Sequence, residues 1–106
     1  MHLHGHMRRL GSAVVVELDG DADLAAAPEL AQVLARAIDS PGIDRVVVDL
    51  DALTVLDDVA LGQLVGAAAT ARRRGLSFAV VCNNERVRQR FDDTRVDQIV
   101  DLVDRP

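Results

Sequence analysis

The chain has 106 residues, a hydrophobic fraction of 49% and a formal net charge of -5 at pH 7. This length suits one domain, and the acidic balance argues against nucleic acid or an anionic membrane as the main partner. Since no apolar run approaches the length of a bilayer span and no signal segment opens the chain, we expect a cytoplasmic protein without membrane insertion.

The inventory of reactive side chains excludes several kinds of catalysis. All twelve basic residues are arginine, which removes the lysine of phosphate-binding loops and Schiff-base chemistry. The three histidines are His2, His4 and His6, so no imidazole is available further along the chain to activate a nucleophile. These histidines could bind a metal loosely, but we interpret residues 1–9 as a mobile leader or a remnant of cloning. Residues 10–106 then form the domain, and we expect neither a cofactor nor a metal.

The first strand of this domain is expected over residues 13–18, a short β-branched run. The acids that follow, Asp19, Asp21 and Asp23, alternate as in a calcium-binding loop. They lack the glycine and the final glutamate of such a loop, so calcium binding is not expected. Asp23 instead suits entry into the next helix.

A helix follows from Pro28, which suits a first helical turn, to Ile38, with apolar residues three and four apart. Residues 45–50 then read as a strand that is apolar on both faces, as in a sheet covered by helices. A second amphipathic helix is predicted over residues 59–74. Its end, with three arginines and then Gly75, is typical of a helix stop, which we prefer to an anion-binding patch.

The junction between this strand and this helix, residues 54–62, carries two adjacent acids. Asp57 suits the N-cap position, because the first N–H groups of a helix lack partners. Asp58, one residue further, is then predicted to point outward as a permanent negative charge beside the positive end of the helix dipole.

In the last third of the chain, strands again alternate with a helix. Residues 77–82 predict a buried strand in which Cys82 is a small core residue, and residues 98–103 predict a final strand. Between them, Asn83 or Asn84 caps a short helix that reaches Phe91. The outward arginines of this helix are read as a solvated face: Arg86, Arg88 and Arg90. Strands alternating with helices imply an α/β fold, with a central mixed β-sheet of about four or five strands and helices packed on it.

At this point the chain resembles a STAS domain, the fold of bacterial anti-sigma factor antagonists. The resemblance rests on the order and spacing of several motifs besides the junction. These are Val-Val-Glu-Leu-Asp-Gly-Asp-Ala-Asp-Leu at 15–24, Val-Val-Val-Asp-Leu at 46–50, Arg-Arg-Gly at 73–75 and Val-Arg-x-x-Phe at 87–91. The resemblance implies a single STAS-like domain that binds proteins and is not an enzyme.

In that family the junction reads Asp-Ser-(Ser/Thr)-Gly-Leu, and an anti-sigma factor with a kinase-like fold phosphorylates the serine. Here Asp57 and Leu61 match, Asp58 replaces the acceptor serine, and Val59 and Ala60 replace the other small residues. The resemblance therefore implies a partner-binding set at the junction and beside it. Its members are Asp23, Thr54, Asp57, Asp58, Val59, Ala60, Leu61 and Gly62.

The aspartate changes what the usual switch can do. A phosphoserine carries about -1.5 to -2 charge and three acceptor oxygens, so Asp58 is a partial mimic of the modified state that cannot itself be phosphorylated. Phospho-switching is then lost or altered, unless Thr54 serves as a substitute acceptor. The more economical interpretation of Thr54 is the end of the strand.

Two other hypotheses stay open at this stage. A STAS domain can be an accessory subunit of a transport ATPase or a component of a stressosome scaffold. An enzyme using Asp57 and Asp58 is disfavoured, because adjacent side chains on a helix diverge by about 100°. Such domains commonly carry a further helix after the last strand, whereas this sequence stops at Pro106. A strip of sheet or helix left uncovered would favour self-association, so we also expect a possible homodimer.

Overall fold

The computed structural model describes residues 2–94 and 100–106, which form one α/β domain with a mixed sheet of five strands. A short 3-10 helix, Leu24–Ala26, precedes the first α-helix. The other elements are, in chain order, β1 His4–Leu10, β2 Ala13–Ala22, α1 Ala27–Ile38, β3 Arg45–Leu56, α2 Asp58–Arg73, β4 Ser77–Val81, α3 Glu85–Thr94 and β5 Asp101–Val103.

The sheet has the strand order β1-β2-β3-β4-β5, with β1 antiparallel to β2 and the remaining neighbours parallel. Parallel neighbours need crossover helices, and right-handed crossovers place successive helices on the same face. Accordingly, the buried residues of α1, α2 and α3 belong to one core cluster, with Leu30, Leu64 and Phe91 almost fully buried. This cluster contains alternate residues of the strands, as the predicted α/β layers require.

The N-terminal segment corrects one expectation. Residues 1–9 were expected to be a mobile leader outside the domain, yet His4–Leu10 is an edge strand paired with β2 from His4 opposite Asp19 to Leu10 opposite Ala13. The physical reason is a period of two: Leu3 and Met7 pack against the core, while the alternate side chains point to solvent. Gly11, with φ +62°, allows the tight turn into β2.

Strand β3 is longer than the predicted 45–50 and continues to Leu56. The pairing of β2 with β3 shifts register between Glu17 and Asp19 and again between Gly20 and Asp21. Gly20 has φ +93°, and a Cβ there would lie 2.1 Å from the backbone oxygen of His2. These irregularities break the alternation that marks a strand in the sequence.

The last strand, β5, occupies part of the predicted range of 98–103, and positions 98 and 99 lie outside the described residues. In the part of the chain that the structure describes, none of the helices has the length and apolarity that crossing a bilayer requires.

Candidate functional site

The carboxyl ends of β2 and β3 lie side by side and place two helix starts next to each other. Ala22 is opposite Leu56 in the parallel register, and the Asp57 N–H donates to the Ala22 carbonyl at 3.0 Å. Asp23 and Asp57 each cap the helix that follows: their Oδ1 atoms accept from the N–H groups three residues on, at 3.1 and 2.9 Å. The predicted capping roles of both aspartates are confirmed.

Asp58 is the first residue of α2, and 87% of its side chain is exposed. It therefore lies at a sheet-to-helix junction and outside the core, as predicted. The exposed carboxylate is not isolated, because the Arg90 guanidinium of α3 donates to its Oδ1.

The arginines of α3 were predicted to form a solvated face, and the structure corrects this for two of them. Arg90 is half-buried and pairs with Asp58, and its Nε is buried without an acceptor among the described residues. Arg88 is also half-buried and donates to the Cys82 carbonyl at 3.2 Å. Of the three, only Arg86 is exposed. Sequence reasoning missed Arg90, since it is 32 positions from Asp58.

Two loop residues hold α3 against the end of β3. Asn84 caps α3, its Oδ1 accepting from the Arg86 N–H at 3.0 Å, and its amide donates to the Leu53 carbonyl at 3.4 Å. Asp51 accepts from the backbone N–H and the side-chain amide of Asn83, at 2.6 and 2.9 Å. These contacts fix the first turn of α3 beside the last residues of β3.

The predicted binding residues differ in how far their side chains are exposed. Asp58, Thr54 and Gly62 are exposed, and 43% of Val59 is exposed. Ala60 and Leu61 are only 1% and 4% exposed. Their inclusion in the binding surface is corrected here, because their side chains pack into the core and cannot touch a partner in this conformation.

Exposed apolar side chains surround the junction. Among the described residues, the large hydrophobic side chains that are exposed are Leu10, Leu24, Val55 and Val59. The last three are each within three positions of the paired residues Ala22 and Leu56. Leu24 is the most exposed of them, at 69%. Leu24 and Val55 were not singled out from the sequence.

Gly62 and Gly66 are both exposed on α2, and a Cβ added at either would meet no atom within 4 Å. Close packing within the domain, one explanation for glycine at these helical positions, is therefore absent among the described residues. The other explanation, close approach of a partner to this face of α2, stays a prediction.

Cys82 does not add a nucleophile to the junction. Its side chain is fully buried, and this burial, with a smaller effect from Asp51, raises the pKa of the thiol to about 11. The thiol is neutral near pH 7 and fills space in the core, as predicted. Within residues 2–94 and 100–106, no group of three His, Cys, Asp or Glu side chains is arranged to hold a metal ion.

The chain belongs to the STAS domain family, whose model matches residues 6–105. No curated protein sequence matches it significantly. A similar solved structure is an anti-sigma factor antagonist from Mycobacterium paratuberculosis, with 26% identity and a TM-score of 0.81, covering 94% of this chain and 84% of that one.

Two more distant structures share the fold. The Bacillus cell fate determinant SpoIIAA in its phosphorylated form has 14% identity and a TM-score of 0.71, with 94% of this chain and 91% of that chain covered. The murine anion transporter Slc26a9 has 15% identity and a TM-score of 0.72, with 86% of this chain but only 15% of that chain covered. At these identities the likeness concerns the fold alone.

Proposed function

We propose that this STAS domain is a non-enzymatic docking protein of the anti-sigma factor antagonist type. It binds an anti-sigma factor with a kinase-like fold in the cytoplasm and thereby frees a sigma factor. The single observation that carries the proposal is the position of Asp58, an exposed acid on the first turn of α2 where the family has its phosphoacceptor serine.

The docking surface consists of Thr54 and Val55 at the end of β3, Asp58, Val59 and Gly62 at the start of α2, and Leu24 beside them. Its support is the exposure of the apolar side chains of Leu24, Val55 and Val59 near this junction, because exposed apolar patches mark interaction sites on proteins. The open positions of Gly62 and Gly66 also support it, because each glycine weakens an exposed helix by about 1 kcal/mol relative to alanine.

The aspartate replaces a reversible switch with a fixed group. Asp58 has no hydroxyl that a serine kinase could esterify. Its single negative charge is also smaller than the roughly -1.5 to -2 charge of a phosphoserine. Phosphorylation at this position therefore does not regulate binding. Thr54, exposed near the end of β3, is the candidate substitute acceptor, and mass spectrometry of protein from the native host tests whether it is phosphorylated.

The test is binding of the cognate anti-sigma factor to Asp58→Ser, with Asp101→Ser as a matched control at an exposed acid on β5. We expect Asp58→Ser to become a phosphorylation substrate or to gain affinity, and Asp101→Ser to behave as the original chain does. If neither property changes in Asp58→Ser, Asp58 is not the control point.

Affinity capture from the native host separates this function from the alternative. Recovery of an anti-sigma factor supports the proposal, whereas recovery of a transport ATPase subunit or of stressosome components supports a scaffold or accessory role. Homodimer formation stays a prediction, and sedimentation showing a monomer at high concentration would contradict it.

A further inference from the structure

Strand β1 forms one edge of the sheet, and its outer side has no neighbouring strand among the described residues. All of its seven residues except Met7 are exposed. An unpaired strand edge presents a row of backbone N–H and C=O groups that can pair with another chain. The opposite edge, β5, has only three residues and begins with an acid, Asp101, as protected edges often do.

Strand β1 lacks the features with which proteins usually protect a long edge. It contains neither proline nor lysine, and it pairs with β2 along its whole length without a register shift. Its two arginines bind acceptors within the same chain. The Arg8 Nε donates to the Glu17 carboxylate at 3.1 Å, and the Arg9 guanidinium donates to the Pro41 carbonyl at 2.8 Å.

The turn between β1 and β2 determines which backbone groups face outward. Leu10 and Ala13 pair directly across a two-residue turn, and in such a hairpin this pair exchanges both backbone hydrogen bonds. The exchange recurs at every second position of an antiparallel pair. The intervening residues, Gly5, Met7 and Arg9, therefore direct their N–H and C=O groups toward the free edge.

This edge is complementary to itself about a two-fold axis at Met7. Antiparallel pairing sets Met7 opposite Met7 of a second copy and Gly5 opposite its Arg9, with about six backbone hydrogen bonds, two for each facing pair. The two Met7 side chains, each packed against its own core, then meet across the axis. Gly5 has no side chain to obstruct the arginine opposite it.

The same register covers an exposed apolar side chain that lies outside the docking surface. Leu10 is 48% exposed, and the alternation of β1 places it with His4 on the side of the sheet opposite Met7. Pairing about Met7 sets Leu10 opposite His4 of the second copy, whose imidazole then covers part of it. An unrelated partner would have to bring a matching free strand, whereas every copy of this chain supplies one.

We infer that β1 is the surface through which two copies of this chain form a homodimer, joining their two sheets into one. The docking surface contributes no residue to this interface, so the inference does not rest on the proposed function. An edge contact of this kind is small and belongs to the weak class that buries less than about 1,200 Å². The dimer should therefore dissociate on dilution.

The experiment combines sedimentation equilibrium with amide hydrogen exchange of the full chain at about 10 µM and about 1 mM, a range that brackets weak association. We expect the mass to rise from that of a monomer toward that of a dimer. At the higher concentration the amides of Gly5, Met7 and Arg9 should exchange severalfold more slowly. Those of His6 and Arg8, which β2 already binds in the monomer, should not change.

Two variants at one position isolate the backbone donor. Arg9→Pro and Arg9→Ala both lose the side chain and its bond to the Pro41 carbonyl, but only proline also loses the outward N–H. Proline is tolerated on an edge strand where the N–H faces solvent, and the amide spectrum of β2 checks that the fold is kept. Arg9→Ala should dimerise as the original chain does. Arg9→Pro should associate about 10- to 100-fold more weakly, because each dimer loses two hydrogen bonds.

A monomer at both concentrations, protection of a different set of amides, or equal association of the two Arg9 variants would each overturn the inference. So would protection of Gly5, Met7 and Arg9 that appears only when an anti-sigma factor is added, because the strand paired with β1 would then belong to that partner. If Arg9→Pro does not fold, the exchange pattern of the original chain still decides. The Asp58→Ser experiment tests the proposed function separately, since no anti-sigma factor is needed for dimer formation.

Discussion

Gly62 and Gly66 provide a test in which stability and binding should change in opposite directions. Neither glycine has a positive φ, and neither has an atom within 4 Å of the place where a Cβ would be. Alanine at either position should therefore fit without strain. It should stabilise the domain by about 0.5–1 kcal/mol, because glycine loses more backbone freedom on folding.

The double variant Gly62→Ala/Gly66→Ala should gain about 1–2 kcal/mol if the two effects add. For a domain of 106 residues, an unfolding entropy of about 2.1 cal/mol/K per residue converts this gain into a rise in Tm of about 4–9 °C. Thermal unfolding followed by circular dichroism, with guanidinium unfolding as a second measurement, gives both quantities.

Gly75→Ala is the matched control. Gly75 also has open space around it, but its φ is +76° at the end of α2, so alanine there should destabilise the domain. A Tm that is unchanged or lower in both Gly62→Ala and Gly66→Ala would refute the claim that this helix face is open and unstrained.

Partner binding completes the test. A methyl group at position 62 stands on the proposed docking surface and should weaken binding of the anti-sigma factor while it raises the Tm. A stabilised Gly62→Ala variant that binds as tightly as the original chain would remove Gly62 from the docking surface.

Three further predictions concern the cap, the edge strand and the buried thiol. Asp57→Ala should destabilise the domain by about 0.5–2 kcal/mol in urea unfolding, through loss of the α2 N-cap, and Asp58→Ala should cost clearly less; equal losses would contradict the capping role. Removing residues 2–9 deletes β1 and its core contacts from Met7, so the urea midpoint should fall, and an unchanged midpoint would show that β1 adds nothing. Because the pKa of Cys82 rises from 9.0 to about 11 in the folded state, its contribution to stability is fully present below pH 9 and is lost as pH rises through about 11. Cys82→Ala should remove that part of the alkaline loss, measured as the free energy of unfolding against pH.

The junction could be predicted from the sequence because its determinants are local. The apolar stripe of α2 fixes which face of the helix is buried, and an aspartate before the first turn is a common N-cap. These two facts placed Asp57 at the cap and Asp58 outside. The same stripe places Leu61 on the buried face of α2, although the resemblance led us to include it in the binding surface.

The edge strand was missed although its signal is also local. Leu3, Gly5 and Met7 alternate with His4 and His6 in the period of a strand. The histidines made the segment resemble an added tag, and that interpretation outweighed the alternation. A Cβ at Gly5 would lie 3.2 Å from Leu18 and 3.3 Å from Val33, which shows how closely this strand approaches the core.

The role of α3 could not be predicted, because it depends on contacts between distant parts of the chain. Asp51 and Asn83 are 32 positions apart, and their hydrogen bonds orient the loop that begins α3. The periodicity of a short arginine-rich helix shows which residues are polar, but not which acid each arginine meets. The Asp58–Arg90 pair follows from this long-range placement.

The pairing of Asp58 with Arg90 changes how the aspartate should be understood. An isolated aspartate would present one negative charge, a partial copy of the phosphorylated state, whereas a paired one is close to neutral, as an unmodified serine is. An ion pair this exposed is worth at most about 1 kcal/mol, so a docking partner can open it at little cost. The local charge of the pair is therefore closer to that of an unmodified serine than to that of a phosphoserine. Asp58→Ser would then leave Arg90 without its acid and would shift the junction from neutral toward positive, until a kinase adds phosphate.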